Sequence, residues 1–149
     1  MEKLLSFLKT IPEYSALLET LGKNAPAAVT GIGQINRSHL ISGLIADTQR
    51  PLVLVCQDDM AAKRIQEELK CFLGDSVPVL PSRELTLYDA AVVSRAWEQK
   101  RLRQLFDLAN GITRLQILSW ESLCQRTMPR EVLMNAAFRL ETGKDYSMD

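Results

Sequence analysis

The sequence is poor in the residues that most enzymes depend on. It holds one histidine, His39, and three cysteines, Cys56, Cys71 and Cys124, too far apart to form a C-x-x-C pair. That leaves no basis for a Cys/His zinc site or a disulfide framework, and a reducing cytoplasm is the expected compartment. Neither sign of charge is in excess: 18 basic residues face 18 acidic ones, so the overall balance does not call for a polyanionic partner. No apolar run approaches the roughly 18 residues of a membrane span. The start, Met1-Glu2-Lys3-Leu4-Leu5, has no cleavage-site pattern of a signal peptide. There is no internal repeat and no low-complexity stretch. Nor can a Ser/His/Asp triad, an Asp-Glu-x-x helicase box or a metal cluster be assembled.

What remains is an ordinary globular composition. The 149 residues, 46% hydrophobic and 24% charged, suit one domain with a real core. Leu4, Leu5, Leu8 and Ile11 recur at helical spacing. Pro12 then suits the first turn of a second helix, with Tyr14, Leu17, Leu18 and Leu21 on its buried side and Gly22 at its end. A short strand is expected over 27–30, then a turn through Gly31–Gly33 and a helix from about Ile35 to Asp47 that turns Leu40, Ile41, Leu44 and Ile45 inward. Pro51 to Cys56 is an unbroken apolar run, the pattern of a strand buried on both faces. Asp58 or Asp59 can cap the helix that follows, with Ile65, Leu69 and Phe72 inward and Gly74 at its end. Val77 to Leu80 reads as a strand and Ala91 to Asn110 as a long helix. Thr113 to Leu118 is a further strand, with Ser119 as cap of a short helix through Cys124. Pro129 opens one more helix, and Phe138–Leu140 is a candidate last strand. Alternating strands and helices without a hairpin signal predict an α/β domain with a mainly parallel sheet flanked by helices.

The stretch of most functional interest is Ala28-Val29-Thr30-Gly31-Ile32-Gly33-Gln34-Ile35. A working phosphate loop reads G-x-x-x-x-G-K-[ST], where backbone N–H groups, a lysine and a hydroxyl hold phosphates and Mg²⁺. Here Ala28 takes the place of the first glycine, Gln34 that of the lysine and Ile35 that of the hydroxyl residue. A turn expected at the carboxyl end of a strand, opening a helix, would still attract an anion. Without the cation or the hydroxyl, the favoured reading is a structural turn that hydrolyses nothing.

Other candidates are weaker. Arg95, Lys100, Arg101 and Arg103 beside Trp97 form a locally basic segment that could hold nucleic-acid phosphates. The interleaved Glu98 and Gln99 favour a solvated helix face, on which Trp97 and Arg101, four apart, can stack. Glu84 and Asp89 are two carboxylates in one loop with no base beside them in sequence. His39 suits a surface or capping role, and the cysteines suit inert or core positions.

Several stretches, taken in order, resemble the N-terminal module of bacterial transcription-repair coupling factors (Mfd). They are Val29-Thr30-Gly31, Arg50 to Val55, Leu69 to Gly74, Pro81 to Glu84 with Tyr88-Asp89, Val93-Ser94-Arg95 with Arg101-Leu102, and Glu121 to Arg126 before Pro129. The resemblance covers about 25–149. That module is in turn similar to UvrB, whose first RecA-like domain carries an intact G-V-T-G-x-G-K-T loop. The resemblance therefore implies a degenerate RecA-like (P-loop NTPase-like) fold, with Ala28, Thr30, Gly31, Gly33, Gln34 and Ile35 as the remnant of the phosphate loop. It implies no catalytic residue, cofactor or metal for this stretch. ATP and Mg²⁺ would belong to a motor far downstream, a DNA translocase, and RNA polymerase would be engaged downstream as well. Residues 1–24 would be an N-terminal helical segment, 25–142 the first lobe of the UvrB-like module, and 143–149 the start of a domain that recruits UvrA. The chain departs from the commoner E-T-L-P-Y-D pattern: Glu84, Tyr88 and Asp89 match, while Leu85, Thr86 and Leu87 do not. The long aromatic hairpin with which UvrB grips DNA has no counterpart between Pro81 and Ala91. Two alternatives stand beside this reading: a nucleotide-binding UvrB-like or kinase-like domain, and a free-standing nucleic-acid binder that uses the basic helix.

Overall fold

The computed structural model describes residues 2–74, 77–82, 95–138 and 141–145. Among these described residues ten elements follow one another: α1 (Glu2–Leu8), α2 (Pro12–Gly22), α3 (Gln34–Thr48), β1 (Leu52–Cys56), α4 (Asp59–Leu73), β2 (Val79–Leu80), α5 (Arg95–Ala109), β3 (Leu115–Ser119), α6 (Trp120–Cys124) and α7 (Arg130–Ala136). The three strands form one parallel sheet in the order β1-β3-β2, with Leu52 opposite Leu115, Cys56 opposite Ser119, and Val79 opposite Ile117. The α/β class and the parallel sheet expected from the alternation are both present.

Helix boundaries follow local chemistry. Pro12 stands at the first helical position of α2, where its missing N–H costs nothing. The helix ends at Gly22, as expected, and the turn beyond it is completed at Asn24. Asn24 takes the left-handed conformation (φ 55°), and the Asn24 and Ala25 N–H groups reach back to Leu21 and Thr20 carbonyls at 3.0 and 3.2 Å. Asp58 caps α4 by accepting from the Ala61 N–H at 2.7 Å, and Gly74 (φ 78°) closes it. Ser119 caps α6 as expected, accepting from the Ser122 N–H at 3.1 Å.

The core lies where α3 and α4 cover one face of the sheet, and it joins Ile45, Ala62, Leu69, Val77, Leu115 and Ile117. Ile41, Ile65, Leu52, Leu54 and Cys56 pack against it, half-buried. A second layer lies outside α3. Of the four residues expected to turn inward from that helix, only Ile45 is fully buried; Leu40, Ile41 and Leu44 are half-buried. Ser38, Ser42 and Gly43 are buried as well, Gly43 where α1 and α2 pack against the helix. A Cβ on Gly43 would run into Leu8 and the Tyr14 hydroxyl, so the bare backbone is what admits both side chains. The Tyr14 hydroxyl donates to Asp47 at 3.0 Å, and Lys9 pairs with the same carboxylate at 2.8 Å. Burial and the Asp47 carboxylate push the Tyr14 phenol well above its ordinary range.

Three expectations need correction. The strand expected over 27–30 is absent: these residues are exposed and belong to no strand, and no backbone hydrogen bond within the described residues involves 26–32. Two alanines supply little apolar surface to bury, and among the described residues the only strand partner of β1 is β3. The β1 run is not buried on both faces, because Val53 and Val55 are 51% and 43% exposed. Phe138 lies outside any strand and is exposed, while Arg139 and Leu140 fall outside the described residues. The start expected for the long helix at Ala91 falls outside them too; α5 is described from Arg95.

Candidate functional site

The stretch from Ala28 to Ile35 runs exposed into the first turn of α3, apart from a half-buried Ile32. Gly31 adopts φ +77°, which only glycine reaches without strain, and Gly33 is the N-cap residue, offering no side chain to the helix start. The Asn36 N–H returns to the Gly33 carbonyl at 3.0 Å. Gln34 is exposed and Ile35 is 87% exposed. The turn does not stand at the carboxyl end of a sheet strand, as its pattern suggested, because the strand before it is not formed. Chemically it offers backbone N–H groups at a helix start, with neither the cation nor the hydroxyl that would turn them into a phosphate site.

A different cluster occupies the carboxyl ends of β2 and β3, the end where parallel sheets usually carry their ligands. Its centre is Arg101, only 6% exposed. One guanidinium nitrogen donates to the Pro81 carbonyl at 2.7 Å and to Ser122 Oγ at 2.8 Å, and the other to the Ser122 carbonyl at 3.1 Å. Desolvation pulls the Arg101 pKa below its ordinary value. Its bonds go to neutral oxygens, and no carboxylate pairs with it among the described residues. Trp97 stacks on the guanidinium at 5.9 Å from the ring centroid, as the spacing predicted, and its indole N–H donates to the Ser82 carbonyl at 2.8 Å. The Ser82 hydroxyl donates to Asp59 Oδ2, while Asp59 Oδ1 is buried with no partner. Four element ends meet here: the ends of β2 and β3 and the starts of α4 and α6. Among the described residues its polar groups are spent largely on one another, the Ser82 hydroxyl on Asp59 and the Arg101 guanidinium on Pro81 and Ser122, which is the arrangement of a structural clasp.

This clasp breaks up the basic segment. Arg101 is withdrawn into the interior, and Arg103 is held by both carboxylate oxygens of Asp107 at 3.1 Å. Arg95 and Lys100 are left exposed. Sequence reasoning treated Arg101 as one of four surface cations. The signal against that was available: Arg101 stands four residues before Leu105 and seven before Leu108, in the apolar row of its own helix.

At the amino end of β3 lies an open cleft of about 510 Å³, lined by Ile45, Leu73, Val77, Gln104, Asp107 and Leu115 among others. Its one carboxylate is the Asp107 already engaged by Arg103. His39 serves as a bridge between layers, with Nε2 2.8 Å from the Leu4 carbonyl and its ring stacked on Phe72 at 5.7 Å. Cys71 and Cys124 are exposed; Cys56 is half-buried, and burial together with the charge of Asp58 raises its thiol pKa. The described residues contain no group of three His, Cys, Asp or Glu side chains that could hold a metal ion. No helix among them is long and apolar enough to cross a membrane. Glu84, Tyr88 and Asp89 fall outside the described residues.

The architecture is that of an α/β domain whose three-stranded parallel sheet is flanked by helices, compatible with a RecA-like fold. Along 91% of its length the chain is 28% identical to a transcription-repair-coupling factor of Myxococcus xanthus, and along its whole length 23% identical to that of Bacillus subtilis (strain 168). The match to two proteins of this one name accords with the resemblance read from the motifs. It spans 12% and 13% of the two relatives, about an eighth of either. No family model and no solved structure matches the chain.

Proposed function

We propose that this chain is the non-catalytic first lobe of the UvrB-like module of a transcription-repair coupling factor. The observation that carries the reading is the match to two such factors over nearly all of the chain. The exposed turn at Gln34 and Ile35, without the groups that hold phosphate and Mg²⁺, supports the non-catalytic part. In this reading residues 25–142 form the lobe and 143–149 lead into a domain that recruits UvrA. The lobe scaffolds that domain and helps pack the resting, autoinhibited form of the factor. ATP and Mg²⁺, DNA and RNA polymerase are then the business of other parts of a longer protein acting in the cytoplasm as a DNA translocase. The free-standing nucleic-acid reading loses its main support with the burial of Arg101 and the pairing of Arg103.

Titration calorimetry of ATP·Mg²⁺ into the 149-residue chain tests the proposal. No saturable binding is expected at micromolar concentrations. Tight, Mg²⁺-dependent binding that Gln34→Ala abolishes would overturn it.

A further inference from the structure

We draw no further inference here: the strongest candidate, the outer edge of β1, which has no strand partner among the described residues and carries the exposed Val53 and Val55 beside it, supports no proposal because nothing in the structure shows what covers it.

Discussion

Strands β1 and β3 are both five residues long and lie side by side in register, yet they invert what their sequences suggest. Leu-Val-Leu-Val-Cys in β1 is apolar throughout, and it alternates between half-buried and exposed. Leu-Gln-Ile-Leu-Ser in β3 carries two polar residues, and every position in it is buried. Place in the sheet accounts for the difference. β3 is central, with a strand on each side, and α3 and α4 cover the face that carries Leu115 and Ile117. On its other face α5 supplies Gln104, whose Oε1 accepts from the Gln116 amide at 3.3 Å. The same amide reaches the Pro78 carbonyl at 3.2 Å, although Gln116 Oε1 is left without a partner. β1 lies at the edge of the described sheet, and the face that carries Val53 and Val55 is left about half exposed. Polar side chains can thus be buried where partners meet them, while apolar ones stay in water where nothing covers them.

Replacing matched residues in the two strands is the sharpest way to break this comparison. Ile117→Ala opens a cavity at a fully buried site and is expected to cost about 2–5 kcal/mol in urea unfolding. A loss below 1 kcal/mol would mean that β3 is not the centre of the core. Arg101→Ala takes the side-chain donor from the Ser122 carbonyl and leaves the Pro81 carbonyl only the Ser122 hydroxyl at 3.3 Å, with an expected loss of about 1–3 kcal/mol. A neutral effect would return Arg101 to the surface and revive the basic patch.

Thiol labelling separates the two faces of β1. Cys56 shares the covered face with Leu52 and Leu54, and its raised pKa leaves less thiolate than an ordinary thiol at a given pH. Iodoacetamide at pH 8 should therefore modify Cys71 and Cys124 first and Cys56 last, with the lag shrinking as the pH rises. Equal rates would show that face of β1 to be open. The smallest effect belongs to the other face. Thr in place of Val53 or Val55 should shift stability by no more than about 0.5 kcal/mol, since these side chains are already in water.

Much of the fold can be read from the chain before any coordinates. The start and stop of α4 were legible because Asp58 and Gly74 act through their own backbone, and the cap of α6 was legible in Ser119 for the same reason. Periodicity located α2, α3 and the apolar row of α5. The errors share one cause: the strand expected over 27–30, the doubly buried β1 and the surface Arg101 each depend on a neighbour distant in sequence. A strand exists only if another pairs with it, and a cation can be buried only if remote carbonyls receive it.

The candidate site divides in the same way. Sequence alone determined what the turn at Ala28–Ile35 lacks, because the absence of a lysine at 34 and a hydroxyl at 35 does not depend on folding. The tertiary structure alone decided that the turn stands exposed, and that the polar groups at the sheet's carboxyl end close on one another around Arg101. The chemistry a side chain can perform is local, whereas its neighbours and its exposure to water are set by how distant segments pack.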